Sequence, residues 1–195
     1  MRYLILFFFS LPLYAYNLLI LGDSLSAGYK IPVEERWSNY ISTEFSALGY
    51  DVAIYNASVS GYTTSNVIEQ LDFTFKQIKP DWVLIEIGAN DGLQGFPVSI
   101  IEKNLNQIIE YSLSFTSTVF LMQIKVPTNY GRRYTQSFES LYPQLADKYN
   151  VYLLPFLLDF IAHDRTLMME DGIHPKVEAQ RIIAKQIASE MSAFF

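Results

Sequence analysis

Three apolar runs in the first half of the chain, each broken off by small polar residues, limit the available folds more than any other feature. Residues 18–21 (Leu-Leu-Ile-Leu) end at Gly22-Asp23-Ser24-Leu25-Ser26-Ala27-Gly28. Residues 52–55 end at Asn56-Ala57-Ser58-Val59-Ser60-Gly61, and residues 82–87 end at Gly88-Ala89-Asn90-Asp91-Gly92. Short aliphatic runs stopped by glycine and small polar residues read as buried strands. Between them, apolar residues recur at helical spacing. Tyr40, Ile41, Phe45 and Leu48 predict a helix over 38–48 with Gly49 at its C-terminal end. Thr63 or Thr64 is placed to cap a second helix running to about residue 78. Further helices are expected over 99–113, 136–149 and from 176 to the end, and further strands over 118–124 and 151–154. Strands alternating with helices imply right-handed crossovers. The expected architecture is a single-domain three-layer α/β/α sandwich around a mostly parallel five-stranded sheet.

In such a sheet ligands bind beyond the carboxyl ends of the strands. The three polar clusters follow the first three strands and so can meet on one edge. Ser24 offers a hydroxyl, although a serine after a strand also serves as a helix cap or turn residue. The Ser24 and Gly61 amides and the Asn90 side chain are candidate donors to an oxyanion. Gly61 reads equally as a turn glycine and Asn90 as an Asx-turn residue.

A base must come from one of two histidines, His163 and His174. His174 sits in Asp171-Gly172-Ile173-His174-Pro175, where Asp171 can accept the Nδ1 proton and leave Nε2 for the serine. Pro175 favours an extended residue before it and suits the first turn of a helix, which predicts His174 at the entrance of the last helix. The alternative is that Asp171 and His174 only cap that helix. His163 has no such setting and reads as a surface residue.

Composition removes several classes of function. A net charge of −6 disfavours nucleic acid as a partner. With no cysteine there is no disulfide framework and no thiolate nucleophile or metal ligand. Gly22 to Gly28 lacks the Gly-Lys-Ser/Thr ending of a P-loop and the spacing of a dinucleotide fingerprint. Met1-Arg2, the apolar run 3–11 and the break at Pro12 fit a secretory signal cut after Ala15, too short to span a bilayer. This makes residues 1–15 a signal and 16–195 the folded domain of a periplasmic or secreted protein, with no stable membrane span once the signal is removed.

Gly22-Asp23-Ser24-Leu25-Ser26, Gly61, Gly88-Ala89-Asn90-Asp91 and Asp171-Gly172-Ile173-His174-Pro175 together resemble the four blocks of the SGNH (GDSL) hydrolases. The likeness runs from about Asn17 to the final helix. It implies a flavodoxin-like fold, Ser24 as nucleophile, His174 as base and Asp171 as its orienting acid. Gly61 and Asn90 join the Ser24 amide as oxyanion donors. It also implies a loop over 92–97 that moves on substrate binding, with Leu93, Phe96 and Pro97 beside the acyl chain. Asp23, Ile124 and Ile173 are further candidates for substrate contact. No cofactor or metal is implied. The expected activity is hydrolysis of fatty acyl thioesters and esters, including lysophospholipids, by a monomer. The alternative substrates are acetylated carbohydrates or other short-chain esters.

Overall fold

The protein is described by a computed structural model covering residues 15–161 and 163–194. The expected signal lies, apart from Ala15, outside the described residues. All five strands are parallel, in the order β2-β1-β3-β4-β5. They are β1 (Tyr16–Gly22), β2 (Val52–Asn56), β3 (Trp82–Glu86), β4 (Thr118–Met122) and β5 (Tyr152–Leu154). Leu18 to Leu21 in the sheet centre are completely buried, as are Val83 to Ile85 beside them. Strands covered on both faces need apolar residues at consecutive positions, which is why both runs lack alternation.

The helices are α1 (Ser24–Ala27), α2 (Trp37–Ala47), α3 (Thr64–Ile78), α4 (Ala89–Leu93), α5 (Val98–Leu113), α6 (Arg132–Tyr149) and α7 (Val177–Ser192). Helix α2 packs on α7 along one face of the sheet, and α5 packs on both α3 and α6 along the other. Trp37 is fully buried; its amide donates to Gln180 Oε1 of α7 and its indole N–H to the Leu25 carbonyl of α1, each at 3.0 Å. Among the described residues, no helix is long and apolar enough to cross a membrane.

Three elements depart from the sequence reading. The run expected as plain loop after β3 contains the single-turn helix α4. Helix α6 starts at Arg132 rather than near 136, because Gly131 (φ 90°, ψ 138°) turns the chain into it. Its polar first residues hide a buried stripe of Thr135, Phe138, Leu141, Tyr142 and Leu145. Pro175 is not the first residue of α7: it forms an antiparallel bridge with Met168, two residues before the helix begins.

The chain goes from β1 to β2 on one side and then crosses to β3 on the other side of β1. The strand order reverses there, so loops leaving β1 and β3 splay apart and leave a crevice at their carboxyl ends. Both Ser24 and Asn90 follow these two strands.

Candidate active site

Asp23 starts the short helix α1 and its Oδ1 accepts the Leu25 amide at 3.1 Å. That cap turns the chain sharply out of β1 and leaves Ser24 as the first helical residue, at the mouth of the crevice. The Ser24 hydroxyl lies 2.9 Å from His174 Nε2, across 150 residues of sequence. His174 Nδ1 lies 2.8 Å from Asp171 Oδ2. Asp171 Oδ1 accepts the Ile173 and His174 amides at 2.9 and 3.0 Å. The segment before it supports this turn, since the Met169 amide donates to the His174 carbonyl at 2.8 Å and the Lys176 amide to Leu167 at 2.7 Å. His174 is therefore held by a turn and a bridge, not by the start of α7 as the proline suggested.

The Tyr29 ring covers the imidazole, with ring centres 4.4 Å apart. Some desolvation pulls the Asp171 carboxyl upward, but the bonds from the His174 amide and ring and from the Ile173 amide, with the electrostatic attraction of His174, hold it down at about 2. An ionised Asp171 bonded to Nδ1 fixes the tautomer in which Nε2 is free to take the hydroxyl proton of Ser24.

Asn90 is held from below. Its Nδ2 donates to the Tyr62 carbonyl at 2.9 Å. The next residue, Asp91, is fully buried and accepts the Thr64 amide at 2.9 Å and the Thr64 hydroxyl at 2.6 Å. Asn104 of α5 donates to the same hydroxyl at 2.9 Å. These bonds lock the start of α3 to α4. Gly61 lies on the exposed turn before Thr63 at φ 86°, a conformation that suits glycine, and falls outside the cavity lining.

Ser24, Asn90 and His174 open into a cavity of about 320 Å³ whose other walls are mostly apolar, including Leu25, Leu93, Val126, Pro127, Phe156, Leu158 and Ile173. Of the candidate substrate contacts, Asp23, Leu93 and Ile173 line it. Ile124, Phe96 and Pro97 do not. Ile124 is completely buried in the core. Phe96 packs against the core and offers its carbonyl to the Tyr134 hydroxyl at 2.8 Å, while Pro97 precedes α5. His163 is exposed.

Beneath the turn that carries Ser24 lie two further acids. Burial pushes the Asp23 carboxyl up to about 7 against the pull of the Leu25 amide, and Asp91 adds to the rise. Glu86, at the end of β3, is completely buried and is raised well above its ordinary value by burial and then by Asp23. Periodicity did not single out Glu86, Asn56, Tyr29 or Tyr142. The available signal was a charged residue closing the otherwise apolar run of β3.

A model of the GDSL-like lipase/acylhydrolase family matches residues 20–182. The arylesterase of Vibrio mimicus is 46% identical over 90% of this chain and 88% of its own length. The thioesterase 1/protease 1/lysophospholipase L1 of Escherichia coli is 40% identical over 90% of this chain and 83% of its own. The crystal structure of the psychrotrophic esterase EstA from Pseudoalteromonas, inhibited by monoethylphosphonate, superposes with a TM-score of 0.87 at 37% identity, covering 92% of this chain and 98% of that one. AlinE4, an SGNH-hydrolase family esterase, superposes at 0.78 with 31% identity over 92% and 93% of the two chains. The chain belongs to the GDSL-like lipase/acylhydrolase family and is an ester or thioester hydrolase.

Proposed function

We propose that the protein hydrolyses fatty acyl esters and thioesters, lysophospholipids among them, through an acyl-enzyme on Ser24. The unbroken chain from Asp171 through His174 to Ser24, opening into an apolar cavity, carries this reading. His174 Nε2 takes the hydroxyl proton as Ser24 Oγ bonds to the acyl carbon, giving a tetrahedral oxyanion. The Ser24 and Gly61 amides and the Asn90 side chain are its donors. Their contribution rises in a site where water is excluded. The proton on His174 then passes to the departing alkoxide or thiolate as its bond to carbon breaks. Water attacks the acyl-serine in the second half, giving its proton to His174, which passes it to Ser24 Oγ as the bond to the acyl carbon breaks and the fatty acid leaves.

The cavity favours an acyl chain over an acetyl group. It adjoins a second hollow of about 590 Å³ that shares Lys125, Phe156, Leu158 and Gly172 with it, continues past Met168 and Met169, and is edged by the charged Asp159, Arg165 and Glu170. The likeness to an arylesterase supports aryl esters as additional substrates. The apolar run at 3–11 supports export, with residues 16–195 as the working domain.

The test uses protein lacking residues 1–15, with Ser24→Ala as control, on a long-chain acyl-CoA, a lysophospholipid, an aryl ester and an acetylated sugar. Long-chain hydrolysis that falls at least about a thousand-fold in the variant is the expected result. Cleavage of the acetyl ester alone would overturn the substrate class. Full activity of Ser24→Ala would overturn the mechanism.

A further inference from the structure

We propose that Glu86 is the positioning residue of the nucleophile turn, holding Ser24 through the Ser26 hydroxyl two residues on; this rests on the reading of Ser24 as nucleophile. The Glu86 carboxyl takes a bond from the turn that Ser24 opens: the Ser26 hydroxyl donates to Oε2 at 2.7 Å. The turn is an arch with the Ser24 hydroxyl at its top and a completely buried carboxyl beneath its far end.

The surroundings are built for this approach. Gly22 lies beside the carboxyl, and a Cβ there would stand 2.9 Å from Glu86 Oε2 and 2.8 Å from Ser26 Cβ. Only a residue without a side chain fits. Besides the Asp23 cap within the turn, two bonds point outward: the Ser26 carbonyl accepts Asn56 Nδ2 at 2.7 Å and the Leu25 carbonyl accepts the Trp37 indole at 3.0 Å. These fix the far side but do not support the arch from inside. An apolar side chain at position 86 would leave the Ser26 hydroxyl without its acceptor in a closed site, and the turn would shift to find another.

Ser24 Oγ is set by this turn, whereas His174 is set by a different segment. A shift of the arch is therefore a direct change in the distance between them. Misplacement of reacting groups by about 1 Å costs on the order of a hundred-fold in rate. Burial, and after it the neighbouring Asp23, raise the Glu86 carboxyl well above its ordinary value. Glutamine keeps the shape and one acceptor oxygen.

The test compares Glu86→Leu, Glu86→Gln, Ser26→Ala and Ser24→Ala in the same protein lacking residues 1–15. The readouts are kcat and KM on a soluble 4-nitrophenyl ester, per folded molecule, and the rate at which a fluorophosphonate labels Ser24. In labelling, the serine oxygen bonds to phosphorus, fluoride leaves and the hydroxyl proton passes to His174. Glu86→Leu is expected to lose about a hundred-fold in kcat and in labelling rate, with KM within about threefold. Glu86→Gln is expected to recover to within about tenfold of the wild type. Ser26→Ala, which removes this bond with a small change of side chain, is expected to lose about tenfold with KM unchanged and decides the matter if Glu86→Leu fails to fold. The proposal is overturned if folded Glu86→Leu, or in its absence Ser26→Ala, keeps kcat and labelling within twofold. An inactive Ser24→Ala alongside that result sinks only the role of Glu86, whereas an active Ser24→Ala sinks the serine reading itself.

Discussion

Gly88 joins β3 to the helix that carries Asn90, and the structure gives two separate reasons why no other residue fits. Its φ is 120°, where an L side chain is strained by about 1–3 kcal/mol. A Cβ there would also stand 2.2 Å from the Tyr142 hydroxyl oxygen. Tyr142 cannot swing away, because it is completely buried, packs on Phe138 with ring centres 5.6 Å apart, and donates to the Ile87 carbonyl at 3.0 Å. Overpacking of this kind adds about 1–3 kcal/mol, so Gly88→Ala should cost about 4 kcal/mol. Tyr142→Phe should cost about 1–2 kcal/mol through the stranded Ile87 carbonyl. In the double variant the overlap disappears, since the next Tyr142 atom, Cζ, is 3.5 Å from the added Cβ, an ordinary contact. The double variant should therefore be more stable than the two single losses together predict, by about 1–3 kcal/mol. Urea unfolding followed by circular dichroism measures all four corners of the cycle. Additivity within about 0.5 kcal/mol would refute the claim that the tyrosine hydroxyl is what excludes a side chain.

Other consequences are as direct. Asp23 is raised to about 7, so between about pH 4 and 7 the folded protein keeps a proton that the unfolded chain has lost. Stability should fall as pH rises through that window, and Asp23→Asn, which retains a cap oxygen for the Leu25 amide, should flatten the fall in a pH series of unfolding curves. Thr64→Val strips the Asp91 carboxylate of a hydroxyl donor and leaves Asn104 short of an acceptor; a loss of about 1–3 kcal/mol in the same assay is expected. Asp171→Asn should cut kcat by about a thousand- to ten-thousand-fold at neutral pH while leaving KM nearly unchanged, because it disturbs the tautomer of His174 rather than the cavity.

The parts of this molecule that could be read from the sequence are those encoded locally. Leu18 to Leu21 and Trp82 to Ile85 are recognisable because a strand buried on both faces needs consecutive apolar residues. Ser24, Asp171 and His174 stand out because a hydroxyl and a histidine–acid pair each carry a short polar signature, and the fold brings them within hydrogen-bonding distance. Partnerships set by the third dimension were not legible. Glu86 looks like a strand terminus until the turn after β1 is seen lying on it. Ile124 follows β4 and invites a place in the acyl groove, yet the sheet twists it into the core while Val126 and Pro127 reach the cavity. Pro175 carries a genuine helix-start signal, but the bridge to Met168 delays the helix by two residues.

The bond between Ser24 and His174 joins the first strand's end to the last helix's approach, and α2 and α7, the neighbours of these two segments, pack on each other. The site is thus closed across 150 residues, a contact whose loop is costly to close by chance encounter in an unfolded chain. On the mechanism proposed above, hydrolytic activity will return later than secondary structure in a refolding molecule. A nascent chain from which residues 171–192 have not yet emerged will hold Ser24 and Asn90 without His174 and be inert.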